Sequence, residues 1–251
     1  MNFEQFSYGS SFLHQLDTRA KFVSCLILVL ILALSRTFAA AASGLLLGLL
    51  LVLLARLPIR MVVKRLLLVN AFVGFLWVTL PLSYPGDILF SLGPLSISLQ
   101  GLLLAGLISL KANGVFLLIM ALIATSSVAD LGHALERLHV PLKLCLLLLF
   151  SYRYIFVISQ EYQRLLRAAR VRCFKPTTNM HTYRTFGYLF GMTLIKSLHR
   201  GDRVRKAMLL RGFQGRFHGL YKTRFGTSEI CFCAAAMGAA AGLIWVESLL
   251  S

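Results

Sequence analysis

Arginines recur in this sequence at a fixed spacing that suits capture of an anionic partner group. One stretch reads Arg164-Leu-Leu-Arg167-Ala168-Ala169-Arg170-Val171-Arg172-Cys173-Phe174. A second, 39 residues on, reads Arg203-Val-Arg205-Lys206-Ala207-Met208-Leu209-Leu210-Arg211-Gly212-Phe213. Each runs Arg, two residues, a basic residue, Ala, three residues, Arg, Cys or Gly, then Phe. On a helix, Ala168 and Arg172 share a face, as do Ala207 and Arg211, so the small residue admits a partner while the arginine projects. Gly212 is a natural helix stop, and Lys175-Pro176 ends the first copy. The final arginine of each copy therefore sits at a helix C-terminus, where the macrodipole favours a cation. A guanidinium there can clasp a carboxylate through two parallel hydrogen bonds. Phe174 and Phe213 just beyond would supply an apolar anchor of the kind found at interface hot spots. The competing reading is an ordinary Arg-rich helix with snorkelling side chains; repetition at matched spacing favours docking, and two copies predict two docking points.

Other chemistry is thinly represented. Lys111 lies in the middle of an apolar run beside Asn113 and Gly114. An intramembrane cation either pairs inside the helix bundle or meets a partner. The six histidines have no ligand spacing: His133 and His139 are six apart and point to different helix faces. Cys231 and Cys233, two apart, do not converge on one ion either, so no metal site is expected in this chain. The five cysteines form no loop-based framework and read as reduced, small apolar residues. There is no Gly-x-x-x-x-Gly-Lys-Ser/Thr phosphate loop, no His-Glu-x-x-His and no Gly-x-Ser-x-Gly. The chain is therefore not expected to be an enzyme or to bind ATP.

The elements that must carry the arginines are membrane elements. Of 251 residues, 58 % are hydrophobic and 14 % charged, with a mean hydropathy of +0.77, against roughly 25 % charged in soluble domains. The excess apolar sequence must face lipid. Runs near 22–35, 38–55, 66–82, 101–125, 141–159 and 229–250 predict an all-α, polytopic membrane protein with about five (four to six) spans of about 20 residues each. Ser35-Arg36-Thr37 separates the first two runs, which suggests a tight helical hairpin or two short tilted segments. About 20 mixed polar residues precede the first run, so the N-terminus is not expected to be a cleavable signal.

Charge sets the orientation. The connection 56–65 holds Arg56, Arg60, Lys64 and Arg65 without an acid and should be cytoplasmic; the connection 83–100 has no Lys or Arg and should be external. Residues 126–228 hold 18 of the 26 Lys/Arg against four acids. Located this way, the net charge of +17 points to headgroups and protein partners, not nucleic acid. Helical signals run over Ser127–Leu138, 142–172 and 181–211. The run Leu142–Val157 is apolar enough to enter the bilayer, yet Lys143 and Arg153 interrupt it; a helix at the interface or packed under the bundle is favoured. Three regions result: membrane helices over 1–125, a cytoplasmic or interfacial coupling region over 126–228, and a final membrane helix over 229–251.

Across nearly its whole length the sequence resembles the transmembrane (T) component of energy-coupling-factor transporters, in the CbiQ-like branch for cobalt or nickel. The resemblance is carried by Leu16-Asp17-Thr-Arg19-Ala-Lys21, Arg56-Leu-Pro58-Ile-Arg60, Ala134-Leu-Glu136-Arg137-Leu-His-Val-Pro141, Tyr152-Arg153-Tyr154, Glu161 and both arginine motifs. Its most specific stretch is Arg200 to Gly215. The resemblance implies a multi-pass protein of the cell membrane that joins two ATP-binding subunits to a separate metal-binding membrane subunit. ATP and Mg would then belong to the ATPases, and Co2+ or Ni2+ would be cargo. It also implies that Ala-Arg-Gly-like helix ends insert into the ATPases, here the neighbourhoods of Arg172 and Arg211. The second copy keeps Arg-Gly. The first has Arg172-Cys173, with Ala169-Arg170-Val171 as a competing alignment, so Arg170 and Arg172 both remain open. A vitamin-type T component is the nearest rival, and a membrane-embedded lipid-modifying enzyme a more distant one.

Overall fold

The computed structural model describes residues 11–85, 87–92, 95–214 and 226–250. The chain divides into two compact units, Met1–Ala134 with Thr223–Ser251, and Leu135–Lys222.

The first unit is a helical bundle. A short α1 (Phe12–Gln15) leads into α2 (Thr18–Leu34) and α3 (Phe38–Leu54), followed by α4 (Ile59–Ser83), α5 (Leu99–Leu122) and, from the far end of the chain, α9 (Thr227–Leu250). Local caps set the starts. The Asp17 carboxylate accepts the Arg19 N–H at 3.0 Å at the head of α2. Thr37 Oγ1 accepts from Ala40 N at 3.4 Å before α3, and Ser98 Oγ from Gly101 N at 3.1 Å before α5. Each satisfies an N–H that the first helical turn leaves without a partner. Ser35-Arg36-Thr37 does join two 17-residue helices, each about 25 Å long.

Two boundaries differ from the sequence reading. The basic residues expected in a 56–65 connection lie largely inside α4, because Pro58 starts the helix there and Arg60, Lys64 and Arg65 occupy its first two turns. Long cationic stems can lie along apolar surface with their heads in water, so helix and charge coexist. The 83–100 connection is an antiparallel hairpin, β1 (Ile88–Leu92) with β2 (Leu95–Ser98), in which Leu92 opposes Leu95 and Ile88 opposes Ser98. The helical class stands with this one small ladder added.

Close approach at glycine holds the bundle. Gly44 and Gly48 lie four apart on α3, Gly44 against Leu32 of α2 and Gly48 against α5; a Cβ at Gly48 would lie 3.2 Å from the Gly114 carbonyl and 3.0 Å from Leu117 Cβ. Leu32 of α2, 1 % exposed, fills the space left by Gly44 and Gly114. Small residues that bring backbones together are how helices gain van der Waals contact where lipid is as apolar as the core. On α4, Leu67, Leu68, Phe72 and Phe75 point outward, the pattern of a lipid-facing surface. Four helices, α4, α5, α9 and α7 of the second unit (Leu142–Val171), are long and apolar enough to cross a membrane; α3 is apolar but shorter.

The second unit contains α7 and α8 (Met180–Leu210). Ahead of it, α6 (Val128–Arg137) is started by Ser127, whose Oγ accepts from Asp130 N at 3.1 Å and donates to the Asp130 carboxylate at 2.6 Å. The helices α7 and α8 run antiparallel. Tyr162 stacks on Phe190 with ring centroids 5.1 Å apart, and Phe174 meets Phe186 edge-on at 5.7 Å.

Candidate functional site

Both arginine motifs end their helices in the same hydrogen-bonded form. At the end of α7, Phe174 N–H donates to the Ala169 carbonyl (3.1 Å) and Cys173 N–H to that of Arg170 (3.0 Å). At the end of α8, Phe213 N–H donates to Met208 (3.0 Å) and Gly212 N–H to Leu209 (3.0 Å). This nested pair is the Schellman stop, which uses carbonyls the last turn would otherwise leave free. It requires a left-handed residue after the cap, and Cys173 (φ 62°) and Gly212 (φ 76°) supply it. The motif's alternation of Cys and Gly thus falls on the one backbone position that demands positive φ.

Arg172 and Arg211 are the cap residues of the two helices. The N–H of Arg172 reaches the Ala168 (3.3 Å) and Ala169 (3.0 Å) carbonyls, and that of Arg211 reaches Ala207 at 3.2 Å. Of the two arginines left open in the first copy, Arg172 occupies the backbone position that matches Arg211, whereas Arg170 lies two residues inside the helix. Both cap arginines are exposed.

The aromatic residues behave differently from expectation. Phe174 turns inward against Phe186. Phe213 is half-buried in a groove with Phe150, Tyr154 and Met208. Neither is an outward anchor. The exposed apolar residues are instead those just before the cap arginines, Val171 at 85 % and Leu210 at 89 % exposure. They occupy equivalent places in the repeat, and their signal in the sequence is an aliphatic residue before each final arginine.

One carboxylate ties the two helices together. Glu161 of α7 accepts from Lys196 Nζ at 2.7 Å and lies 3.4 Å from Arg164 and 3.8 Å from Arg200. The Lys196 hydrogen bond, and then the charges of Lys196, Arg164 and Arg200, hold its carboxyl below the ordinary value against partial burial. Because the helices are antiparallel about this junction, their capped ends point opposite ways. Arg172 is 11 residues beyond Glu161 and Arg211 is 15 beyond Lys196. At about 1.5 Å per residue the two arginines stand up to roughly 40 Å apart.

Lys111 has an internal role. Its ammonium donates to the Ala33 carbonyl at 3.2 Å and, closely, to that of Ser35. These belong to the C-terminal turn of α2, where a cation both completes hydrogen bonds and suits the dipole. Nearby, Asn113 of α5 donates to Asn70 Oδ1 of α4 at 3.0 Å. Asp17 and Lys21 of the N-terminal motif are buried at the start of α2. Among the described residues, no three His, Cys, Asp or Glu side chains gather as a metal-holding group.

Comparison with known proteins places the chain in a family. A protein named energy-coupling factor transporter transmembrane protein EcfT from Bacillus subtilis is 26 % identical over 82 % of this chain and 82 % of its own length. A protein of the same name from Listeria innocua is 25 % identical over 96 % of both chains. Cobalt transport protein CbiQ of Rhodobacter capsulatus is 27 % identical over 53 % of this chain and 55 % of its own. The profile of the cobalt transport protein family CbiQ matches residues 9–220, most of the chain, and the chain belongs to that family.

Proposed function

We propose that this chain is the T component of an energy-coupling-factor importer, docking two ATP-binding subunits through Arg172 and Arg211. The observation that carries this reading is the shared geometry of the two helix ends. Each presents an exposed cap arginine beside an exposed aliphatic residue, and the two lie at opposite ends of the paired helices α7 and α8. A pair of ATPases that close on ATP would load both ends at once, and α7–α8 would transmit the movement to a separate substrate-binding membrane subunit. Family membership and the name of the Rhodobacter relative favour cobalt, with nickel next, as the cargo. ATP and Mg act in the ATPases; the coupling chain itself performs no catalysis. The basic region 126–228 faces the cytoplasm in this reading.

The test expresses the chain with its ATPases and substrate subunit and measures co-purification and Co2+ uptake for Arg172→Glu, Arg211→Glu and the pair. Each single change should weaken ATPase retention, and the pair should abolish both retention and uptake. Intact retention and uptake in the double variant would sink the docking role. A second reading, the shared vitamin-type T component, is favoured by the several relatives named EcfT, whose names carry no cargo. Recovery of several different substrate subunits with one tagged chain would select it.

A further inference from the structure

The groove beside the end of α8 has, apart from Arg211, a lining that docking at the helix ends does not use. It encloses about 720 Å³ and its floor is Phe150 and Tyr154 of α7 with Val204, Met208 and Phe213. A second cavity of about 550 Å³ shares these residues and extends along α8 past Arg205. Arg153 and Arg211 line the first cavity and Arg205 the second, and no Asp or Glu lines either. None of these three arginines has an ion-pair partner among the described residues. An apolar slot with uncompensated cations fits a molecule that is apolar at one end and anionic at the other.

We infer that this groove binds an anionic phospholipid, with an acyl chain against Phe150, Tyr154 and Met208 and the headgroup phosphate at Arg153. Three observations favour lipid over an acidic segment of a protein. Phe150 and Tyr154 belong to the stretch of α7 that is apolar enough to enter a bilayer. Leu144, Leu147 and Ile155 of the same stretch are more than half exposed, as expected where lipid is the solvent. Arg153 interrupts this stretch, its long stem can carry the guanidinium to headgroup level, and each cation near an anionic surface strengthens binding about fivefold. The inference stands on the groove's lining and is independent of what receives Arg211.

Native mass spectrometry of the purified full chain tests it, with phosphatidylglycerol and phosphatidylcholine of identical acyl chains supplied in equal amounts. Wild type should retain phosphatidylglycerol in preference by about fivefold or more. Arg153→Gln should reduce that preference about fivefold, and Val204→Trp, which fills the slot, should remove the adduct. Arg184→Gln, a cation of α8 away from the groove, should leave retention unchanged. Equal retention of the two lipids by wild type would overturn the site. So would equal losses in Arg153→Gln and Arg184→Gln, which would mean diffuse surface attraction. Retention undiminished by Val204→Trp would also overturn it and leave the groove to an acidic segment of a partner protein.

Discussion

Cys173 and Gly212 occupy the same left-handed turn at the ends of α7 and α8, with φ of 62° and 76°. Only the first carries a side chain there, and a Cβ in that conformation costs about 1 kcal/mol. Two ends with one geometry thus have different intrinsic stabilities. Cys173→Gly should steady the α7 stop by about 1 kcal/mol, and Gly212→Ala should loosen the α8 stop by a similar amount. Hydrogen exchange of the amides at Cys173, Phe174, Gly212 and Phe213 reads both. Unchanged exchange in both variants would mean that the left-handed residue is not what holds these ends.

Glu161→Gln should weaken the α7–α8 pairing, because one carboxylate meets Lys196, Arg164 and Arg200. The pH dependence follows from its lowered pKa. Such a group stabilises the folded form fully above its ordinary value of 4.5 and loses that contribution as pH falls through the lower, folded-state value. Protection of α8 amides near Lys196 should therefore be flat between about pH 6 and 8 and fall only in stronger acid. The Gln variant should be less protected at neutral pH and lose the acid step. A wild-type transition near neutrality would assign the junction to another group.

Lys111→Met should fray the end of α2. The ammonium serves the Ala33 and Ser35 carbonyls, and its loss leaves them without that donor inside the bundle. The cost is about 1–2 kcal/mol, given that interhelical hydrogen bonds in membrane bundles are individually modest. Thermal unfolding in detergent measures it. Wild-type stability together with wild-type exchange at Ser35 and Arg36 would remove the capping role and return Lys111 to the list of partner contacts.

Gly101→Ala should destabilise the bundle where Gly74→Ala does not. A Cβ at Gly101 would fall 2.7 Å from the Leu80 carbonyl oxygen and 2.8 Å from Pro81 Cα, both backbone atoms with little room to move, whereas nothing lies within 4 Å at Gly74. Overpacking of this kind costs about 1–3 kcal/mol. The matched pair separates steric contact between α4 and α5 from the general preference of helices for alanine over glycine. Equal melting temperatures for the two variants would contradict the contact.

Sequence alone determined the helical membrane class, the extents of α7 and α8 to within a residue or two, and the two arginine-bearing helix ends. These features are local: apolar run length, a cap such as Ser127, and stops at Gly212 and Lys175-Pro176 act over a few neighbouring residues. Tertiary structure decided which side chains at those ends face outward. Phe174 and Phe213 had the more persuasive residue type, but each finds an apolar neighbour from the opposite helix and turns in. Val171 and Leu210 find none and stay exposed. Likewise, the sequence placed Lys111 at membrane depth, while only the meeting of α5 with the end of α2 gave its ammonium two carbonyls. A side chain's direction depends on what distant sequence brings beside it, and no local pattern contains that information.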